Sequence, residues 1–267
     1  MNILAQYGIL KYYSTKSNRQ WDTTHNKYIP IVFLDMGDYS PFQLIMESGT
    51  NAEMRIYNAN TEEEVTTSAI SLVVSDKDTY VRVHSNGGNL AYISLSDDYF
   101  YAVITGDSGT CYSDVFGWMN DVDVNDLIKV SASSSNIAMG RKSEYVLDIS
   151  SSTFTCYFNV NEYLGIIPET EEDANENNGV VIPYYVGTAK SRAWIIDGNE
   201  YIYEFLLSLR ILNVNGEVTI TYRGVVYLAE DIIAEKEEEY GDSDIIDINL
   251  SIKANGDIMT VINSIRE

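Results

Sequence analysis

Residues 80–107 read YVRVHSNGGNLAYISLSDDYFYAVITGD and contain the clearest fold signal of the chain. Val81 and Val83 alternate with polar neighbours, which is the period-two pattern of a strand that buries one face. Asn, Gly and Gly follow at residues 86–88, and these residue types favour a tight hairpin turn because they tolerate a positive φ. Two further strand-like runs complete the stretch. It therefore predicts antiparallel β-structure made of short strands.

Similar strand patterns precede this stretch at intervals of about 8–12 residues. The runs IVFLD, FQLIM, EMRIYNA and AISLVVSD begin at residues 31, 42, 53 and 69. Short strands at this spacing are typical of β-sandwiches, and we predict an Ig-like sandwich over residues 29–117. Residues 1–28 lack a clear period and are interpreted as an N-terminal arm or an edge strand; an arm would become ordered on a neighbour. Deleting the arm should then leave a folded protein.

Residues 118–267 are predicted to form a second β-rich domain, after a junction at about 112–127. The run FTCYFNV at 154–160 alternates apolar and polar residues, and so does GEVTITY at 216–222. One segment has helical spacing instead, which predicts a helix at about 199–211. Its apolar positions are Ile202, Phe205, Leu206 and Leu209. The predicted fold is mainly β, with two β-sandwich-like domains and one short helix in the second.

Composition excludes several classes of protein. The chain has 267 residues, 45% of them hydrophobic, which is enough for a substantial core. Its formal net charge of -23 opposes binding to a phosphate backbone, so no direct nucleic-acid contact is expected. No apolar run is long enough to span a membrane as a helix, and the first residues lack a secretory pattern. The sequence thus indicates a protein made in the cytoplasm and not exported by the general route.

No recognised catalytic or metal-binding motif occurs in the sequence. The two histidines, His25 and His84, lie in polar surroundings and are interpreted as surface residues. Cys156 falls on the apolar face of its predicted strand and Cys111 has no histidine nearby, so both thiols are expected to be unpaired. We predict no catalytic, cofactor-binding or metal-binding residues, no cofactor and no enzymatic activity.

Acidic segments and tyrosines leave more than one interpretation open. Asp121, Asp123, Asn125 and Asp126 resemble the start of a calcium loop, but the central glycine and late glutamate are missing. The acidic stretches at 169–179 and 235–239 are interpreted as solvated loops, with docking onto a basic partner as the functional alternative. The 21 tyrosines are ordinary core and rim residues, or they stack on sugars or fill protein interfaces.

Two stretches give the sequence a resemblance to a protein family. Residues 100–118, FYAVITGDSGTCYSDVFGW, carry a Tyr-Ser-Asp-Val-Phe element at positions 112–116. Farther on, Tyr163-Leu164-Gly165 and Pro168-Glu169 form a turn pattern that precedes an acidic segment. These elements resemble structural proteins of phages and prophages of gut Bacteroidota.

Later matches extend the resemblance over about residues 100–265. Glu171-Glu172 and Gly179 correspond to the family's acidic segment, although this sequence has NENNG where the family usually has E-R-D-G. Glu200-Tyr201 and Leu209-Arg210 correspond to its helix, which here lacks the leading proline. The family motifs are structural, so the resemblance implies no catalytic residue.

The resemblance implies a virion structural protein of the tail, collar or baseplate. Such a protein would act in the virion, in several copies, by contacting its own copies and other virion proteins without inserting into a membrane. The alternative is a carbohydrate-binding β-sandwich module or glycan-active protein with a tyrosine-rich face. The missing export pattern and the missing acid–base or metal centre favour the virion interpretation.

Overall fold

The structure is a computed structural model that describes a large part of the chain. The described residues are 2–18, 32–33, 42–66, 68–77, 80–85, 98–118, 127–134, 138–142, 145–148, 153–177, 180–239, 246–254 and 259–261. They are mainly β, in β-sandwich-like domains with one α-helix, which confirms the predicted fold class.

The N-terminal region contains eleven strands among the described residues. They are β1 (Ile3–Tyr7), β2 (Tyr12–Tyr13), β3 (Val32–Phe33), β4 (Phe42–Met46), β5 (Ala52–Asn58), β6 (Ile70–Ser71), β7 (Val73–Asp76), β8 (Val81–Ser85), β9 (Asp98–Gly106), β10 (Gly109–Ser113) and β11 (Phe116–Trp118). A single 3-10 turn covers Lys16–Asn18. β3 to β9 fall on the predicted runs, whereas β1, β2, β10 and β11 lie outside them.

These strands form two layers around a shared core. One layer has the order β1-β4-β8-β7, and the other is built around β9, which pairs with β5, β10 and β11. Leu44 and Val83 of the first layer are fully buried together with Ile56 and Ile104 of the second. The alternation of Val81 and Val83 with polar residues thus buries one face of β8, as predicted.

The C-terminal region consists of long strands and the helix. Its elements are β12 (Leu127–Ser134), β13 (Ala138–Lys142), β14 (Tyr145–Asp148), β15 (Thr153–Asn177), β16 (Val180–Gly198), α1 (Glu200–Asn215), β17 (Gly216–Tyr222), β18 (Val225–Glu239), β19 (Ile246–Ala254) and β20 (Met259–Val261).

Six of these strands form a closed antiparallel barrel. Hydrogen bonding runs in the order β15-β12-β17-β18-β19-β16 and returns from β16 to β15. β15 and β18 belong to both halves of the barrel: β15 pairs first with β12 and then with β16, and β18 pairs first with β17 and then with β19. Register shifts at Val160/Glu162 and Ala229/Asp231 mark where each strand passes from one half to the other. Such irregularities allow a strand to turn a corner between two sheets.

The helix begins at an asparagine cap and buries its predicted face. Asn199 Oδ1 accepts a hydrogen bond of 2.9 Å from the backbone N–H of Ile202, as expected for an N-cap. The buried helix residues are the four that the spacing predicted: Ile202, Phe205, Leu206 and Leu209. The helix extends to Asn215, four residues beyond its predicted end. Tertiary packing supports this length, because the helix contacts β12, β16, β17 and β18.

Of the two interpretations of the N-terminal segment, the structure shows the edge strand: β1 lies at the edge of its sheet, and residues 2–18 do not stand apart as an arm. β1 pairs with β4, and Ile9, Leu10 and Tyr12 are buried in the main core. The Tyr7 ring packs on Phe154 and Phe205, with centroid distances of 5.6 and 6.0 Å. The apolar residues of this segment thus belong to the core although they follow no regular period. An irregular segment can bury its side chains against several different elements. Residues 19–28 lie outside the described residues.

The two acidic stretches are strands, not loops, wherever the structure describes them. Residues 169–177 belong to β15 and pair with β16, while residues 235–239 belong to β18 and pair with β19. Acidic residues are compatible with a strand because antiparallel sheets can expose one face to water. Outside the barrel pairings, residues 168–177 of β15 and 180–190 of β16 continue as paired strands, which we call the long hairpin, and β20 joins them as a third strand at residues 186–188 of β16.

The two regions are joined through strand pairing and through the core. β3 pairs in parallel with β11 and, at Val32, with Tyr157 of β15. A single cluster of buried apolar residues includes members from both regions. The boundary between residues 117 and 118 stays a prediction.

Candidate functional site

The helix and the candidate site lie at opposite ends of the barrel. α1 follows Gly198 at one end of β16 and precedes Gly216 at one end of β17. Arg192 lies at the other end of the part of β16 that pairs with β19, residues 191–198, and Tyr222 is the last residue of β17. Six residues separate Gly198 from Arg192, which corresponds to about 20 Å of strand. The barrel thus has a helix end and a second end at which functional groups are presented.

Four aromatic rings and one guanidinium pack together at this second end. The Tyr163 ring lies 5.7 Å from Trp194 and 5.2 Å from Tyr222, measured between centroids. Tyr227 lies 6.3 Å from Trp194, and Arg192 Cζ lies 4.6 Å from the Tyr227 ring centre. Such contacts add to the free energy of simple burial and hold each ring in one orientation. This aromatic cluster therefore makes the end of the barrel rigid.

Exposed apolar side chains lie on the two strand segments that carry Tyr163, Tyr222 and Tyr227. We call them the apolar rim; its members are Leu164, Ile166, Ile167, Val225, Val226 and Leu228. Ile166 is the register partner of Arg192, and Val226 and Leu228 flank Tyr227, so both strand segments approach the same cluster. Val226 is 63% exposed and Ile166 is 52% exposed. The two segments meet where the Tyr163 and Tyr222 rings pack, and several exposed apolar side chains on such segments mark an interaction site more often than a scattered apolar residue does.

Two backbone features fix the segments that carry the rim. Arg223 and Gly224 have φ values of 50° and 76° and form the two-residue turn between β17 and β18. Positive φ at both positions is the geometry of a type I′ hairpin turn, whose twist matches the flanking strands. Gly165 has φ 88° at a register shift in β15, directly beside Leu164. The rim is thus presented by a tight turn and a bulge, and its position does not depend on a long loop.

The two strand segments that carry the rim lack carboxylates, although the residues that follow them do not. Residues 163–167 and 222–228 contain no acidic residue, although the chain has 40 acidic and 17 basic residues. Arg192 and Arg223 lie at this end, with the Arg223 guanidinium 5.1 Å from the Tyr222 ring centre. Exposed Glu162 precedes one rim segment, and Glu169 follows it in the acidic part of the long hairpin. Glu230 and Asp231 follow the other segment, so the absence of carboxylates is confined to the rim segments themselves.

The helix end carries opposed carboxylates. Asp197 and Asp247 are directly paired across β16 and β19, and Glu238 is the register partner of Asp247 on β18. Asn161 donates hydrogen bonds of 2.5 Å to Asp197 and 3.4 Å to Asp247. Burial raises the pKa of Asp197; the hydrogen bond from Asn161 lowers it, and the neighbouring charge of Asp247 raises it further. Carboxylates thus lie close together at the helix end of the barrel.

A second surface of interest lies on the outer face of the β5–β9–β10 layer. Tyr101 and Tyr57 are stacked at 5.6 Å, and Lys16 Nζ lies 5.4 Å from the Tyr101 ring centre. Half-buried Tyr99 and Tyr112 pack against the same small cluster. Tyr101 itself is 3% exposed, so the accessible rings of this face are the half-buried Tyr57, Tyr99 and Tyr112, which suit either a sugar or a protein neighbour.

The residues that sequence analysis singled out do not form a site together. His84 lies half-buried on the face of β8 opposite the core, while Cys111 and Cys156 are free thiols buried in the core. Burial raises the pKa of Cys111 to about 12, which keeps this thiol protonated and unreactive. His25 and residues 121–126 lie outside the described residues.

Two searches of the described residues were negative. No group of three or more histidine, cysteine, aspartate or glutamate side chains among them has an arrangement suited to a metal ion. No helix in the described part of the chain has the length and apolar character needed to cross a membrane.

Sequence reasoning did not identify the apolar rim. Its sequence signal is the pair of adjacent apolar residues within a strand, Ile166-Ile167 and Val225-Val226, which breaks the alternation of a half-buried strand. Such a pair places one apolar residue on the solvent face. Because consecutive apolar residues also occur in strands buried on both faces, the pattern becomes informative only once the barrel is known.

Comparison with protein-family models, with curated proteins and with solved structures gave no match for this chain.

Proposed function

We propose that the chain is a structural subunit that acts by associating with its own copies and with other proteins, as a tail, collar or baseplate component of a phage virion. The apolar rim is the observation that carries the proposal. It exposes six large apolar side chains on a rigid barrel end, and exposed apolar surface is stabilised when a partner covers it. The motifs shared with phage structural proteins support the virion as the place where that partner is found.

Other features agree with an assembly role. The long hairpin offers backbone groups for strand addition to a neighbour, which is a common way for β-proteins to bind one another. The region over 29–117, proposed as an Ig-like module, would supply a second rigid body for contacts. A net charge of -23 keeps free subunits apart by mutual repulsion until specific contacts form. None of these roles requires a catalytic group or a cofactor.

The test is whether the chain is part of a particle. Phage particles from the source culture would be purified on a density gradient, and peptides of this chain would be quantified by mass spectrometry across the fractions. We expect the peptides to sediment with the particles, while a host cytoplasmic protein, used as the control, stays in the soluble fractions. Recovery of the chain only in the soluble fractions would contradict the proposal.

The tyrosine face of the N-terminal region supports a second candidate, glycan binding. Asn58 and Asn60 donate hydrogen bonds of 2.6 and 2.9 Å to Asp98, so amide and carboxylate groups lie beside the Tyr57–Tyr101 stack. Aromatic rings combined with such groups are the ordinary means of sugar recognition. Under the main proposal, the purified chain shows no retention on immobilised polysaccharides. Retention that is lost in a Tyr99→Ala/Tyr112→Ala variant would favour the second candidate.

A further inference from the structure

We infer that the second end of the barrel binds an apolar group that carries a carboxylate, which is the chemistry of a fatty acid and of an apolar C-terminal residue of a polypeptide. The carboxylate lies against Arg192 and the indole N–H of Trp194, and the apolar part lies on Ile166 and Val225. The inference goes beyond the proposed function, because it assigns a class of ligand to a site and does not depend on the virion. Such sites are common in the mouths of β-barrels.

One wall of the site lies on the inner face of β15 and β16. Trp194 is fully buried, and so is its register partner on β19, Leu250. Arg192 precedes Trp194 by two residues in the same strand, so the two side chains share the inner face of the barrel. Ile166 is the register partner of Arg192 and therefore stands on the same face. It is 52% exposed, which places it at the mouth of the barrel and not in the packed interior.

The opposite wall lies on β17 and β18. Val225 is the register partner of Tyr222, which is buried in the core, so Val225 also stands on the inner face, where it is 50% exposed. Tyr227 follows Val225 by two residues, and its ring centre lies 4.6 Å from Arg192 Cζ. Tyr222 lies 5.2 Å from Tyr163 of the first wall. These contacts join the two walls, so the site is formed by one continuous set of inner-face residues.

A buried donor indicates what the site binds. Trp194 Nε1 has no hydrogen-bond acceptor among the described residues, although the side chain is fully buried. Its neighbours are the rings of Tyr163 and Tyr222, at 5.7 and 5.9 Å, and rings are much weaker acceptors than oxygen atoms. A buried donor of this kind is stabilised when an acceptor reaches it, which here requires the half-buried Tyr163 ring to shift. An indole N–H beside the five donors of the Arg192 guanidinium suits a carboxylate, which accepts only.

Two described carboxylates near the site lie on the outer face of the barrel. Glu162 pairs with Ile195, which alternates with buried residues of β16, and Asp231 pairs with Lys253 beside the buried Ile232. Because successive residues of a strand point to opposite faces, neither carboxylate shares the inner face with the site. The net charge of -23 is screened over about 8 Å at physiological salt, so donors in direct contact with the carboxylate contribute most to its binding.

Isothermal titration calorimetry on the purified full chain tests the inference. The probes are octanoate and, as the uncharged molecule with the same tail, 1-octanol. We expect octanol to bind at least about tenfold more weakly than octanoate, because hydrogen bonds to a charged acceptor are about twice as strong as neutral ones. The dipeptide acetyl-Leu-Leu, with its carboxylate or as the amide, distinguishes the two sources of the chemistry. Tighter binding of the dipeptide carboxylate than of octanoate indicates the C-terminus of a polypeptide, and weaker binding indicates a fatty acid.

Three variants locate the binding site. Arg192→Met should lower the affinity for octanoate at least about tenfold and leave the affinity for octanol unchanged, because it removes the charge and keeps an apolar side chain. Trp194→Phe keeps a buried ring without the N–H and should lower the affinity for octanoate about fivefold. Arg55→Met is the matched control: it removes the same charge from β5, in the N-terminal region, and should leave octanoate binding unchanged. Circular dichroism checks that each variant is folded.

Three results would each overturn the inference. The first is that neither octanoate nor the dipeptide carboxylate binds at about 1 mM. The second is equal binding of octanoate and octanol, which would mean that the carboxylate is not recognised. The third is octanoate binding that Arg192→Met leaves unchanged. The particle experiment reads out independently: a chain that is found in particles but binds neither carboxylate leaves the proposed function standing and removes this inference.

Discussion

The N-terminal segment at residues 2–18 and the long hairpin at residues 168–190 both differ from what their sequences indicate. The first lacks a period and reads as an arm, yet it buries Ile9, Leu10 and Tyr12 and binds the helix through Tyr7. The second begins with an acidic stretch that reads as a loop, yet it is regular antiparallel structure that continues beyond the barrel. Whether a segment has a regular secondary structure and whether its side chains lie in the core are therefore two separate properties. The predictions below test that separation.

Deleting residues 1–18 should have the largest effect and abolish cooperative folding. The deletion removes β1 from β4 and takes three buried side chains from the core. Burial of each is worth about 1.5–3 kcal/mol, and their sum is comparable to the total stability of a domain, about 5–15 kcal/mol. Thermal unfolding followed by circular dichroism is the measurement. A sharp transition at an unchanged temperature would show that the segment is an arm after all.

Substitutions at Tyr7 separate packing from hydrogen bonding. Tyr7→Ala removes the ring contacts with Phe154 and Phe205 and should cost about 3–5 kcal/mol. Tyr7→Phe keeps the ring and loses only the 2.9 Å hydrogen bond with Ser208, which should cost about 1 kcal/mol. Urea denaturation measures both values. Equal losses in the two variants would contradict a packing role for the ring.

Tyr7 should also make the free energy of unfolding depend on pH. Burial raises the pKa of Tyr7 to about 12, from an ordinary value of 10.0, while the Ser208 hydrogen bond opposes the shift. Since the folded state holds the proton more tightly, this contribution to stability is complete below pH 10 and is lost as the pH rises toward 12. Unfolding measured from pH 9 to 12 should therefore show a shallower decline in Tyr7→Phe than in the natural chain. Equal declines in the stability of the two proteins would mean that the pKa of Tyr7 is the same in the folded and unfolded states.

Shortening the long hairpin should affect stability much less. Replacing residues 171–187 by Asn-Gly joins the register pair Thr170 and Thr188 through a two-residue turn. The lost pairing includes the contacts of residues 186 and 187 with β20, so we expect a cost below about 2 kcal/mol. Urea denaturation checks the value. A loss as large as that of the N-terminal deletion would place the hairpin in the folding core.

The smallest effect is expected near the helix end of β16, where Asp197→Asn should stabilise the protein by about 0.5 kcal/mol. The substitution removes one of two directly opposed carboxylates and keeps an Oδ1 acceptor for Asn161. The raised pKa of Asp197 means that its stability contribution is greatest at low pH and falls as the pH rises through the folded value. The gain should thus be present at pH 7 and vanish below about pH 4. A gain that is independent of pH would point to another cause.

Local pattern was enough to predict many individual elements. Val81 and Val83, Phe154 and Cys156, and the four buried helix residues all lie on the predicted faces. These predictions succeeded because a period of two or 3.6 residues reports which side of one element is buried. The burial of Cys156 and of Cys111 as free thiols likewise agrees with the sequence-based expectation.

Features that depend on distant partners were not accessible in this way. The closure of the barrel requires β15 to pair with both β12 and β16, and nothing in its sequence states that it has two partners. Tyr7 meets Ser208 across 201 residues of chain. The apolar rim can be recognised only in the folded chain, where the ring centroids of Tyr163 and Tyr222 lie 5.2 Å apart. In each case the decisive contact is non-local, so a local period carries no information about it.

The continuity of β15 has a mechanical consequence. This strand runs for 25 residues, or about 80 Å, from its pairing with β12 to the tip of the long hairpin. A pull along the hairpin would therefore act on the ladders with β12 and β16 in shear, so that many hydrogen bonds resist at once. A strand peeled sideways from an edge would release them one after another. A subunit attached to its neighbours by this hairpin would transmit tension along its strands while its barrel keeps its shape.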